Sequence, residues 1–94
     1  MMSTKVSIEQ AALKQLEKVP SFIRVKLYQW IERVEEFGIA EIRKSKGLHD
    51  EPLKGLRTGQ RSIRLNRSYR AIYIQKQNGE LFLIQIIEVT NNEY

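Results

Sequence analysis

Between Pro52 and Tyr73 the chain carries Lys54, Arg57, Arg61, Arg64, Arg67 and Arg70, six cations with no acid among residues 54–70. Five of them are arginines, whose planar fork can meet two phosphate oxygens at once. The chemistry open to such a set is recognition of an anion and stabilisation of negative charge. In a small basic protein the expected anionic partner is nucleic acid. Lys54, Arg57, Arg61 and Arg67 are candidate nucleic-acid contacts, and Arg64 and Arg70 are candidates for a tighter anion site. The single histidine, His49, lies in Gly47-Leu48-His49-Asp50-Glu51. It is either a general acid/base group beside two carboxylates or a solvated loop residue. With no cysteine and no second histidine it cannot build a metal site, so none is expected. No nucleophile elbow or phosphate-cradling glycine loop occurs, and no cofactor is expected. Tyr94 closes the chain, either as a frayed end or as a ring for base stacking or proton transfer.

The cations are segregated. The 94 residues have a formal charge of +5, yet residues 29–41 hold four glutamates against one arginine. Such separation marks a docking face more than general solubility. A hydrophobic content of 41% with 29% charged residues is that of a folded chain, and the length fits one domain over residues 1–94. The absence of cysteine excludes disulfides and thiolate catalysis and suits a reducing compartment. No apolar run reaches the roughly 18 residues of a membrane span, and the first residues lack the apolar core of a signal peptide. A cytoplasmic protein without membrane attachment is the expectation.

The elements that must position these residues follow from periodicity. Residues 4–7 suit a short strand, and Ser7 with Gln10 suits a capping box. Ile8, Ala12, Leu16 and Val19 then recur at helical spacing, and Pro20 breaks that helix and opens the next. The second helix should run to about Phe37, with Ile23, Leu27, Trp30, Ile31 and Val34 on one face and Gly38 just past its end. Together they predict an antiparallel helical hairpin. Residues 39–46 predict a short basic third helix stopped by Gly47. After it the period changes to two: Arg61–Leu65, a turn at 66–68, Tyr69–Gln75, the hairpin signal Asn78-Gly79, and Glu80–Val89. The fold class is therefore α+β, an N-terminal strand, a helical hairpin and a short third helix before an antiparallel β-meander, with the helices on one sheet face. Ile63 and Leu65 share a face of their strand, and Ser62 and Arg64 the other. If the turn pairs Leu65 with Tyr69, Arg64 lies opposite Arg70. Like charges so opposed repel, and either a bound phosphate relieves them, or they splay into solvent, or a bulge breaks the register.

Several of these segments resemble the RelE/ParE superfamily of bacterial toxins from type II toxin–antitoxin modules, especially its HigB/RelE-like members. The resemblance rests on His49-Asp50-Glu51-Pro52-Leu53-Lys54-Gly55, Arg61-Ser62-Ile63-Arg64-Leu65, Tyr69-Arg70-Ala71-Ile72-Tyr73 and the closing Glu88-Val89-Thr90-Asn91-Asn92-Glu93-Tyr94. It implies a RelE-like fold and a ribosome-dependent endoribonuclease that cleaves mRNA by attack of a 2′-OH on the adjacent phosphate. It implies as partners the ribosome, mRNA and a small DNA-binding antitoxin, through which alone the toxin would meet operator DNA. By position, Arg64 and Arg70 match the strand cations that stabilise the phosphorane, and Tyr94 matches the C-terminal tyrosine. His49 falls near a functional histidine of some members, offset by two residues. Asn92 stands where many members carry histidine, and an amide hydrogen-bonds a phosphate without exchanging protons near neutral pH. Two alternatives remain open: a ParE-like gyrase poison without nuclease activity, and a non-catalytic RNA-binding module.

Overall fold

Ile23, Leu27, Trp30 and Val34 recur every three or four residues, and all four are buried along one stripe of the longest helix. That stripe needs an apolar partner, and the alternating face of the sheet supplies it. The computed structural model describes residues 3–91. The elements are β1 (Ser3–Ile8), α1 (Gln10–Leu16), α2 (Ser21–Phe37), α3 (Ile39–Ile42), β2 (Glu51–Pro52), β3 (Gln60–Arg64), β4 (Arg70–Asn78) and β5 (Leu81–Thr90), with single 3₁₀ turns at Lys46–Leu48 and Gly55–Arg57. This is the α+β arrangement expected from the pattern.

The sheet runs β1-β5-β4-β3-β2. β2 to β5 form an antiparallel meander, while β1 pairs in parallel with β5, from Ser3 beside Leu81 to Ile8 beside Ile86. Ala12 and Leu16 of α1 join the stripe of α2 over Ile63, Leu65, Ala71, Tyr73, Ile84, Ile86 and Val89 in one core. Each fully buried aliphatic side chain there contributes roughly 1.5–3 kcal/mol relative to exposure. The helices thus occupy the face carrying Ile63, Leu65 and Ala71, and Trp30 is buried among them.

Local expectations shift in three places. Ser7 lies inside β1, and α1 starts at Gln10 with Glu9 before it and no side-chain cap, so there is no capping box. β1 pairing claims the backbone that the box would have used. The third helix is four residues long, and Gly47 sits within the following 3₁₀ turn instead of ending a helix at 46. The β4–β5 connection is Gly79-Glu80, because Asn78 is already paired with Leu81; Gly79 takes φ 62°, a conformation glycine adopts without cost. Gly38 (φ 88°) ends α2, and its N–H is bonded to Val34 O at 2.8 Å.

A β-bulge in β5 matters for the site. Ile72 pairs with Glu88 but Tyr73 pairs with Ile86, leaving Ile87 as the extra residue. Strict alternation would put Ile86 and Glu88 on one face. The bulge lets Ile86 and Val89 both meet the helices, and it turns Glu88 to the other side.

Candidate nucleic-acid interface

The turn that sets the site is built by Asn66. Its side-chain oxygen accepts from the backbone N–H groups of Ser68 at 2.8 Å and Tyr69 at 2.7 Å, while Leu65 N donates to Tyr69 O at 2.9 Å. This fixes the register, and Arg64 falls directly opposite Arg70. Both are half-buried on the face away from the helices. Arg70 Nη1 lies 3.5 Å from Ser62 Oγ, a long contact, and the Arg64 side chain has no hydrogen bond or ion pair among the described residues. Between them the floor is Ser62 paired with Ile72, both buried. The nearest carboxylate described on this face, Glu88, is paired with Arg57. Two guanidinium groups opposed across a ladder repel each other, at a cost of a few tenths to about 1 kcal/mol for such a cross-strand pair. A phosphate between them would remove that cost and fill donors that the fold leaves open.

Beside this pair the face is closed by an ion pair. Arg57 Nη2 donates to Glu88 Oε1 at 2.8 Å and Nη1 to Gln60 Oε1 at 2.8 Å, so the 55–57 turn is tied down over the end of β3. Arg57 is a held cation rather than an open one, and Glu88 reaches it because of the bulge. Lys54 and Arg67 are exposed, Lys54 just before that turn and Arg67 in the β3–β4 turn.

Arg61 has a different place. It is on the Ile63 side of β3, and its Nε donates to Asp50 Oδ1 at 2.7 Å. The Asp50 side chain is wholly buried. Its second oxygen accepts from Tyr73 Oη at 2.6 Å and lies 3.7 Å from Arg43 Nε, and Arg43 Nη2 donates to Tyr73 Oη at 3.0 Å and Gln75 Oε1 at 2.7 Å. Burial raises the Tyr73 phenol well above the ordinary tyrosine range, and its bond to Asp50 raises it further. Burial alone would lower Arg61, but the hydrogen bond to Asp50, the charge of that carboxylate and the Tyr73 oxygen together raise the group. The cluster bolts the 43–50 segment to β3 and β4. Sequence reasoning took Arg61 for a surface contact and missed Asp50 and Arg43. The parity of β3 held the signal, since Arg61 is in step with Ile63 and Leu65.

His49 is exposed at φ 45°, where the chain leaves the 46–48 turn. Its neighbour's carboxylate is committed to Arg61 and Tyr73, so Asp50 is not a proton partner for the imidazole. Among the described residues His49 shares no hydrogen bond or cavity with Arg64 or Arg70. Asn92 and Tyr94 lie outside the described residues. No group of three or more His, Asp or Glu able to hold a metal occurs among the described residues, and no helix among them is long and apolar enough to cross a membrane.

The five-stranded sheet with its helices on one face is similar to the folds of solved toxins. The chain is similar to the YoeB/ParE toxin from Agrobacterium tumefaciens with a TM-score of 0.73 at 17% identity, over 95% of this chain and 99% of that one. The chain has the RelE-like toxin fold. Its likeness extends to YafQ from E. coli (TM-score 0.69, 14% identity, 98% and 94% covered) and to the RelBE toxin–antitoxin complex of E. coli (0.62, 24%, 96% and 98%). No protein-family model matches the chain, and no curated protein matches it by sequence. In this RelE-like sheet the Arg64–Arg70 pair sits on the face that the helices leave open.

Proposed function

We propose that this chain is the toxin of a type II toxin–antitoxin module, a single cytoplasmic domain that cleaves ribosome-bound mRNA. One observation carries this reading: Arg64 and Arg70 are opposed across β3 and β4 on the helix-free face, with the Arg64 side chain unpartnered among the described residues. The likeness in fold to toxins solved with their antitoxins, RelBE and YoeB–YefM, supports an antitoxin partner.

In the reaction the RNA 2′-oxygen loses its proton and forms a bond to the adjacent phosphorus. The bond from phosphorus to the 5′-oxygen breaks, and that oxygen takes up a proton. The products are a 2′,3′-cyclic phosphate and a 5′-hydroxyl. Arg64 and Arg70 hold the charge that grows on the non-bridging oxygens. Lys54 and Arg67 meet flanking phosphates. Proton transfer falls to Tyr94, with the Asn92 amide as a hydrogen-bond donor. His49 is the second candidate proton carrier, and His49→Ala separates the two: an unchanged rate leaves the task to Tyr94.

Primer extension on a ribosome-bound message tests the reading. The wild-type chain should give new 5′ ends, and Arg64→Ala and Arg70→Ala should each reduce them by about 10²–10³, the effect of losing one transition-state donor. Unchanged cleavage in both variants overturns the mechanism. Intact messages together with inhibited DNA supercoiling would point to a gyrase poison on the same scaffold.

A further inference from the structure

Beyond Arg61 and Ser62, β3 has no outer strand among the described residues. β2 covers Arg61 and Ser62 only, so at Arg64 the sheet edge is open toward α2. A cleft of about 290 Å³ lies there, walled by Lys26, Gln29, Trp30 and Arg33 of α2, by Leu48 and the 45–47 turn, and by Arg64. Lys26 and Arg33 are exposed, and their side chains, like that of Arg64, have no hydrogen bond or ion pair among the described residues. No carboxylate of the described residues lines the cleft. Trp30 adds an independent mark: its indole N–H is buried and has no hydrogen-bond acceptor among the described residues. Every polar side chain at this site can donate, which is the character of a place for an acceptor-rich anion.

The spacing says more. Lys26 and Arg33 are seven residues apart on one helix face, about 10 Å along the axis at 1.5 Å per residue. One phosphate cannot meet both of them and Arg64, whereas the repeated phosphates of a nucleic-acid strand can meet the three separately. We infer that the cleft is a second phosphate-holding subsite, in which Lys26, Arg33 and Arg64 take separate backbone phosphates of a single strand running off the Arg64–Arg70 pair around the sheet edge onto α2. That the strand is RNA rests on the function proposed above; the phosphate chemistry of the cleft does not.

Trp30 is the only tryptophan of the chain and walls the cleft, so its emission reports occupancy. The test titrates the full chain with a fluorescein-labelled 2′-O-methyl oligoribonucleotide, which has no free 2′-OH to attack, and follows Trp30 emission and fluorescein anisotropy. The wild-type chain should show saturable changes in both. The double variant Lys26→Ala/Arg33→Ala should bind at least about tenfold more weakly at low salt and show a salt slope shallower by about 1.4, the value for two lost contacts to a single strand. Circular dichroism should show its fold unchanged, since both residues are exposed. Inorganic phosphate should change the emission only at far higher concentration. Equal affinity and slope in the double variant would overturn the proposal. So would saturation by inorganic phosphate, or by polyglutamate, at the oligonucleotide's concentration. Message cleavage by the wild-type chain is read in parallel. Cleavage with an unaffected double variant removes the cleft and leaves the nuclease; weakened binding in the double variant without cleavage does the reverse.

Discussion

Arg61 and Arg64 stand three positions apart on one strand and live opposite lives. Arg61 is on the helix side, gripped by the buried Asp50 at 2.7 Å and linked through it to Tyr73 and Arg43. Arg64 is on the other side, facing a like charge, its side chain bonded to nothing among the described residues. Composition counts both as one unit of positive charge. The difference teaches that a basic segment divides by strand parity into cations the fold consumes and cations it leaves for a ligand. Only the second kind can carry function directly.

The widest separation between the two should come from alanine at each position. Arg64→Ala should lower cleavage by about 10²–10³ while moving stability by less than roughly 0.5 kcal/mol, as expected of a surface position off the core. Single-turnover cleavage and thermal melting measure the two quantities on the same samples. Next in size is Asp50→Ala, which leaves Arg61 facing a buried vacancy. It should cost about 3 kcal/mol, the low end for breaking a buried pair because the arginines keep partial contact with water. In a domain of this size that lowers Tm by roughly 12 °C or more. A melting shift of only a degree or two would show that the cluster is incidental. Between these in kind, but smaller, Arg70→Gln should stabilise the sheet by a few tenths of a kcal/mol by removing the opposed charge, detectable as a higher urea midpoint at low salt that fades at high salt.

The smallest effect is alkaline. Because the folded phenol of Tyr73 titrates higher than an unfolded tyrosine at about pH 10, the folded state holds its proton where the unfolded state has lost it. Its contribution is therefore complete below about pH 10 and declines as pH rises above that. Tyr73→Phe should flatten the fall of stability between pH 9 and 11, followed by urea unfolding at each pH.

Much of this division was legible. The Asn66-Arg67-Ser68 turn and the alternation of β3 and β4 placed Arg64 against Arg70, and the 3.6-residue stripe of α2 named its buried face. What could not be read were interactions between distant segments. Asp50 looks like a loop carboxylate because nothing local to it says that Tyr73 and Arg61 will close over it. The bulge at Ile87 is silent in a continuous apolar run, yet it decides that Glu88 meets Arg57. The parallel docking of β1 depends on residues far away in the chain. The cleft beside Arg64 joins α2 to the edge of β3, and each half alone reads as an ordinary charged surface.

That docking of β1 also sets an order of events. Ser3 through Ile8 find their partners only in Leu81 through Ile86, and the remaining edge is sealed in part by Glu35, whose Oε2 accepts from Val6 N at 3.0 Å. During synthesis the first strand therefore waits, unpaired, until nearly the last strand has emerged. Contacts of such long sequence separation slow folding. A nascent chain has its helices and its arginines well before it has a finished sheet beneath them. The interval is one in which the basic segment is already synthesised but the scaffold that aligns Arg64 with Arg70 is incomplete, so the topology sets when the arginine pair can form.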